Sequence, residues 1–384
     1  MERIYLDHAA TTALDPRVAK AMNDFELEFF GNPSSTHREG QGSRAKIDFA
    51  RAQIAKFLNA RPQEIIFTSG ATEANNLAIQ GVVNHYLQNK KTKPHVVTTF
   101  LEHQSVFNTV KELEKRGVVE ATFVKPMGGL IRPEDVTRSL QKNTVLVSTI
   151  FASNEVGSIT NVREIARKLP GHIAYHVDAV QAVKFLNCNV EKLGCHLLTV
   201  SSHKIYGPKG VGALYVKKGL KMANLAFGGS QEYGLRPGTQ NTSGIIGFAR
   251  AIQLLGSLEE RQAEGIRLAI LQGKLIKELN QLPGAELNGH PYERIPDNIS
   301  YTFNGVDQDA LMTALDLAGI AASTGSACVS GSSEPSHVIK SLGKLTKGDS
   351  ATLRLTLGRT TKTPEVDYTI KTISNIIKKL RHEK

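Results

Sequence analysis

Largely apolar runs of four to seven residues recur from Ile65 to Val216: Ile65–Thr68, Val96–Phe100, Val118–Val124, Val145–Phe151, Ile173–Val177, Leu197–Val200 and Val211–Val216. Stretches this short, bounded by turn formers, predict buried strands. Between several of them the apolar positions return at helical spacing, as with Leu77, Ile79, Val82, Val83 and Tyr86. This predicts helices over Glu73–Tyr86, Gln104–Lys115, Pro133–Gln141 and Val162–Lys168. Upstream, Ile4-Tyr5-Leu6 reads as a short strand running into small and polar residues. Asp15-Pro16 opens a helix that reaches roughly Phe30, and a second is expected from about Gly42 to Leu58.

Strand-helix alternation of this kind predicts the α/β class: a mostly parallel sheet covered by helices on both faces, with ligands at the carboxyl ends of the strands. After Asn241 the pattern changes. One long helical region is expected from about Gly244 to Leu279, weaker near Gly256 and broken at Pro283-Gly284. Short strands at Asn298–Phe303 and Thr352–Leu357 then mix with helices at Gln308–Ala318 and Pro364–Leu380. The expectation is a large domain over 15–258 and a smaller α+β domain made of 1–14 and 259–384. No internal repeat interrupts this plan.

The chain has 384 residues, 40% of them apolar and 22% charged, which fits an ordinary globular protein long enough for two cores. No apolar run approaches the ~18 residues of a membrane span. The start, with Glu2 and Arg3 close to Met1, does not read as a secretory signal. Cys188, Cys195 and Cys328 make no disulfide framework, so a reducing cytoplasm is expected. The formal charge of +11 is spread over Lys90-Lys91-Thr92-Lys93, Lys217–Lys221 and the tail from Lys378, without interleaved aromatics. Direct nucleic-acid binding is therefore not expected, although acidic partners, or RNA brought by a partner, stay open.

Candidate chemistry gathers where strands end. Ser201-Ser202-His203-Lys204-Ile205-Tyr206-Gly207-Pro208-Lys209-Gly210 lies between two apolar runs. A turn lysine is ordinarily a solvated charge. Beside an imidazole, two hydroxyls and a Gly-Pro-Lys-Gly turn, Lys204 is also a candidate for a Schiff base with an aldehyde. Thr68-Ser69-Gly70-Ala71-Thr72-Glu73 joins a strand to a helix start, either an ordinary capped turn or a phosphate seat. His103 follows the next strand and could stack on a planar ring, while Asn154 and Glu155 follow another. Asp178, with Gln181 three residues on, ends the strand at Val177; it is a helix cap or the partner of a pyridinium nitrogen. Together a phosphate seat, a stacking ring, a carboxylate and a turn lysine are what pyridoxal phosphate needs.

Cys188 and Cys195 read as core residues. Cys328, flanked by Gly325-Ser326-Ala327 and Val329-Ser330-Gly331, reads as an exposed thiol on a mobile loop, suited to carrying a group. Arg354 interrupts an alternating strand and could clamp a carboxylate with its forked guanidinium, or form a surface ion pair. No metal site is expected, since Cys195-His196 has no further ligands at matching spacing.

These motifs, in this order, resemble the cysteine desulfurases of the class V aminotransferase group. The resemblance runs almost end to end, through Tyr5–Thr12, Asn32-Pro33-Ser34-Ser35 with His37, Thr68–Glu73, Asn154-Glu155-Val156-Gly157, His176–Ala179, Ser201–Gly210, Arg236-Pro237-Gly238-Thr239 and Gly325–Cys328. It implies the type I fold of pyridoxal-phosphate enzymes, with a mostly parallel seven-stranded sheet in the large domain. The length of chain between Cys328 and Pro335-Ser336-His337 resembles the subgroup that serves iron-sulfur assembly and tRNA thiolation.

The resemblance also implies roles. Lys204 holds pyridoxal 5'-phosphate covalently and later moves protons, and His103 stacks on its ring and serves in acid-base steps. Asp178 and Gln181 contact the pyridine nitrogen and phenolic oxygen. Ala71, Thr72, Ser201 and His203 hold the phosphate, joined by Thr239 from the other subunit of a homodimer. Asn154 and Arg354 bind the carboxylate of L-cysteine, with Asn32 nearby, and Cys328 takes the sulfur and passes it to an acceptor protein. Ser230, Tyr233 and Thr160-Asn161 depart from the family's usual residues. A selenocysteine lyase or aminotransferase of the same fold is the nearest alternative. A non-enzymatic sulfur-relay or RNA-binding scaffold is the alternative from another class.

Overall fold

The computed structural model describes residues 3–325, 336–343 and 350–382. In chain order these form β1 (Ile4–Tyr5), α1 (Pro16–Glu28), α2 (Arg38–Leu58), β2 (Ile65–Thr68), α3 (Ala71–Asn89), β3 (His95–Thr99), α4 (Gln104–Lys115) and β4 (Glu120–Val124). Next come α5 (Pro133–Arg138), β5 (Thr144–Ile150), α6 (Val162–Lys168), β6 (Ala174–Asp178), α7 (Val190–Leu193), β7 (Leu197–Ser201) and β8 (Gly212–Val216). The rest is α8 (Thr242–Leu255), α9 (Leu258–Leu279), β9 (Ala285–Leu287), β10 (Asn298–Asn304), α10 (Gln308–Leu317), β11 (Ile320–Ala321), α11 (His337–Ser341), β12 (Ser350–Thr356) and α12 (Thr363–His382).

The seven predicted strands form one sheet in the order β2-β8-β7-β6-β5-β3-β4. Only β8 runs against its neighbours, pairing antiparallel with both β2 and β7. Its central strands β3, β6 and β7 are buried at every position, which is why they read as unbroken apolar runs rather than alternating ones. Separate apolar clusters cover the two faces, one built on Val97, Val147 and Val177, the other on Val96, Leu146 and Leu197. A second sheet, β12-β10-β9, is antiparallel, and β1 pairs in parallel with β11. Asp7 bridges to Thr356, so the chain's first residues lie against its last strand.

Helix boundaries depart from expectation most clearly at two places. α2 starts at Arg38, four residues earlier, because His37 Nδ1 accepts a hydrogen bond from Gly40 N at 3.3 Å and caps the turn. A Cβ on Gly40 would lie 2.5 Å from the Ser35 carbonyl oxygen, so this helix start needs the missing side chain. The long region from Gly244 is two helices. Gly256 (φ 76°, ψ −164°) ends α8, and Ser257 with Glu260 forms a capping box that starts α9. Among the described residues no helix is long and apolar enough to cross a membrane.

Candidate active site

A cavity of about 450 Å³ opens at the carboxyl ends of β2, β3, β5, β6 and β7. Parallel strands deliver their loops to one edge, and five of them place polar residues here. Ala71 and Thr72 open α3 directly after Gly70, whose φ of 153° favours glycine. Unpaired backbone N–H groups of this first turn make a seat for an anion. Thr72 caps nothing, since Gly70 holds the cap position.

Asp178 ends β6 and is 2% exposed. Its Oδ1 accepts from Val180 N at 3.0 Å and its Oδ2 from Asn75 Nδ2 at 2.8 Å. Asn75 also donates to Ser105 Oγ at 2.8 Å, and Ser105 in turn lies 2.8 Å from His103 Nδ1. His103 is thus oriented from behind by α4. Burial holds its imidazole below the ordinary range; Asp178 opposes this, and Lys204 and Arg354 reinforce it. Gln181 donates to the Ala9 carbonyl oxygen at 3.0 Å, while its Oε1 is buried without a partner among the described residues.

Lys204 ends a short helical turn after β7. Its Nζ donates to the carbonyl oxygens of Ala9 and Ala10, each at 2.5 Å, which aims the amine across the cavity floor. The turn is held firmly. Tyr206 adopts a left-handed φ of 65°, donates its N–H to Thr12 Oγ1 at 2.7 Å, and accepts from Arg359 N at its hydroxyl at 2.8 Å. His203 lies 3.2 Å from Thr11 Oγ1, and its imidazole is pressed down to about 4, first by burial and then by Lys204 and Lys209.

The opposite wall comes from distant segments. Arg354, 1% exposed on β12, pairs with Asp7 at 2.8 Å and donates to the carbonyl oxygens of Gly325 at 2.7 Å and Asn154 at 3.1 Å. Asn154 Oδ1 is buried without a partner among the described residues. Glu155 and Gly325 complete this side. Arg354 is therefore a buried, paired cation and not a surface ion pair.

Three predicted residues lie off the cavity wall. Ser201 is buried just behind it with no partner for its Oγ among the described residues, and Thr239 is exposed away from it. Asn32 is exposed, and its Oδ1 accepts from Ser34 N at 2.9 Å within its own turn. Cys328 lies outside the described residues. Cys188 and Cys195 are buried, and burial pushes both thiols up to about 12. No group of three or more metal-ligating side chains occurs among the described residues.

Sequence reasoning missed Asn75, Asp7 and Glu102. A signal existed for Asn75, because an asparagine inside an apolar helix face is disfavoured unless its amide is used. Glu102, wholly buried, accepts from Thr99 Oγ1 at 2.6 Å and Ile150 N at 2.9 Å. Burial pushes its carboxyl up to about 8, against the pull of those two bonds.

In this mixed seven-stranded sheet the lysine turn after β7 and the carboxylate ending its neighbour β6 face one cavity. Residues 4–369 match the model of the aminotransferase class-V family, and the chain belongs to that family. Within it the chain is a cysteine desulfurase family member. It is 42% identical to cysteine desulfurase IscS of Dictyoglomus turgidum, over 98% of this chain and 95% of the relative. Among solved structures, a NifS-like protein superposes with a TM-score of 0.89 at 34% identity, covering 98% of this chain and 100% of that one. SspA in complex with cysteine gives a TM-score of 0.80 at 32% identity, over 92% and 98%.

Proposed function

We propose that this chain seats pyridoxal 5'-phosphate in the 450 Å³ cavity and takes sulfur from L-cysteine, releasing L-alanine, with Cys328 as first acceptor. The observation that carries the reading is the convergence of an amine, a carboxylate, an imidazole and a helix start on one cavity, with unpartnered acceptors at Gln181 Oε1 and Asn154 Oδ1. These residues fit the group. The helix start at Ala71 and Thr72 suits its phosphate, joined by His203, by the buried Ser201 hydroxyl and, from a second copy, by Thr239. Asp178 suits a protonated ring nitrogen, Gln181 Oε1 a phenolic hydroxyl, and Lys204 the aldehyde carbon. When bound, the cofactor supplies an electron-withdrawing ring that stabilises negative charge at the substrate α-carbon.

The chain's own residues do the rest. Arg354, steadied by Asp7, and Asn154 orient the substrate carboxylate. Lys204 removes the proton from the α-carbon, and His103, with its imidazole held below the ordinary range by burial, relays protons at the ring face. The Cys328 thiolate attacks the substrate sulfur. A sulfur-sulfur bond forms, the carbon-sulfur bond breaks, and its electron pair stays on carbon, which takes a proton to become the methyl group of alanine. The cysteine bound in the SspA relative supports this substrate. A reducing cytoplasm would keep the Cys328 thiol available.

Exposed apolar side chains at Leu27, Phe30 and Phe227 support a homodimer. The acceptor beyond Cys328 is proposed to be a protein of iron-sulfur assembly or tRNA thiolation. A division into 15–258 against 1–14 with 259–384 is supported by the seven-stranded sheet lying wholly in the first part and the other sheets wholly in the second.

The test uses two variants. Cys328→Ser is expected to keep the bound chromophore yet lose alanine formation from cysteine; undiminished turnover would refute the role. Lys204→Ala is expected to lose the borohydride-trapped cofactor adduct, and a surviving adduct on another lysine would move the assignment.

A further inference from the structure

Cys328 lies between two described residues, Gly325 and Ser336, which are tied to consecutive positions on the cavity wall, Gly325 to Asn154 through Arg354 and Ser336 to Glu155 directly. On one side the Gly325 carbonyl oxygen accepts from Arg354 Nη1 at 2.7 Å, and the same Nη1 donates to the Asn154 carbonyl oxygen at 3.1 Å. On the other, Ser336 Oγ donates to Glu155 Oε2 at 2.5 Å. A Cβ built on Gly325 would stand 3.4 Å from that same Glu155 oxygen, so the carboxyl group that holds Ser336 also lies close to Gly325.

The Ser336 end is secured further. Ser336 Oγ also accepts from Ile339 N at 3.2 Å and caps α11. His337 Nε2 sits 3.0 Å from the Glu102 carbonyl oxygen, and its ring stacks on Phe107 at 4.0 Å. Glu155 pairs with no cation among the described residues. It is 3% exposed, and burial raises its carboxyl above the ordinary range, outweighing the opposing pull of the Ser336 bond and the Arg354 charge. A carboxyl oxygen accepting from a hydroxyl is a short, directional link.

We infer that Glu155 is a positioning residue for sulfur transfer: through Ser336 it sets where the chain returns to the wall of the site after Cys328. This rests on the reading of Cys328 as sulfur acceptor and adds a residue whose part is to hold Ser336. Misplacing a reacting atom by about 1 Å costs on the order of 100-fold in rate. The effect therefore belongs in transfer to Cys328 and not in capture of cysteine.

The experiment is single-turnover mixing of the cofactor-loaded dimer with L-cysteine, read two ways. The spectral change of the chromophore reports cysteine binding, and the gain of one sulfur mass on the Cys328 peptide reports transfer. Glu155→Ala is expected to slow transfer roughly 10- to 100-fold, well beyond any change in the spectral Kd. Glu155→Gln, which keeps an acceptor oxygen for Ser336, is expected to restore the wild-type rate. Ser336→Ala reaches the contact from the other side, and the Glu155→Ala/Ser336→Ala double variant is expected to be no slower than the slower single variant. Unchanged transfer in Glu155→Ala overturns the inference, as does equal slowing by Glu155→Gln or a parallel loss of cysteine binding. A wild-type protein that releases alanine with no sulfur on Cys328 overturns the acceptor reading itself, and this inference with it. That outcome is distinguishable because the wild-type control alone reports it.

Discussion

The two walls of the cavity are built differently. The Asp178 wall rides on β6, α3 and α4: Asp178, Asn75, Ser105 and His103 form one hydrogen-bonded series on elements packed against the central sheet. The Arg354 wall joins Asp7, Asn154, Glu155, Gly325, Ser336 and Arg354 from separate stretches, and the Arg354–Asp7 pair spans 347 positions of chain. In the first wall a carboxylate faces the cavity with neutral donors behind it. In the second, the cation that faces the cavity already shares its charge with Asp7. The first is shaped to hold a fixed group, and the second to hold one that comes and goes.

Removing charge without shape should separate them most clearly. Asp178→Asn is expected to lower alanine formation on the order of 10²- to 10³-fold while the unfolding free energy falls by less than about 1 kcal/mol. Steady-state kinetics beside urea titration checks this; a large stability loss would mean that the Asp178 wall is structural first. Arg354→Lys is expected to behave the other way round. Losing the fork that reaches Asp7, Gly325 and Asn154 should cost roughly 2–4 kcal/mol of stability and raise KM for cysteine about 10- to 100-fold. An unchanged KM would remove Arg354 from substrate binding.

The walls should also weaken at opposite ends of the pH scale. His8, next to Asp7, is pressed down to about 4 by burial and by Lys184. Unfolded imidazoles bind a proton near 6.5. The unfolded chain thus holds more protons between those values, and the stability from His8 is complete above 6.5 and lost as pH falls toward 4. Glu102, beside the Asp178 wall, has its carboxyl pushed up to about 8 from an ordinary 4.5. Here the folded chain holds the extra proton, so stability falls as pH rises from 4.5 to 8. Glu102→Gln is expected to flatten the alkaline side by roughly 2–4 kcal/mol and leave the acid side alone. Urea midpoints across the range would expose a mistake if the alkaline slope persisted. The smallest effect is expected far from both walls: Lys20→Gln, breaking an exposed pair with Asp24 at 2.8 Å, should change stability by less than about 0.5 kcal/mol.

Much of the first wall was legible in the chain. Asp178, His103 and Lys204 could be found because each follows an apolar run, and parallel strands bring such positions to one edge whatever the order of the strands. Asn75 escaped notice because its use depends on how α3 is rotated against the sheet. Gly256 was read only as a weak point in one helix, since its φ of 76° and the Ser257 cap follow from a change of direction that periodicity does not carry. Asn32 and Thr239 were named from resemblance, and in a single chain neither lines the cavity.

Hydrophobic spacing determined the strands, most of the helices and the edge where chemistry would gather, because burial of one or both faces leaves its period in the residues themselves. Only the tertiary structure decided that Arg354 would meet Asp7 and that Glu155 would meet Ser336. Those contacts lie between residues 347 and 181 positions apart. A polar side chain's partner across such a distance is set by the path of the whole chain, and nothing in its local sequence encodes that path.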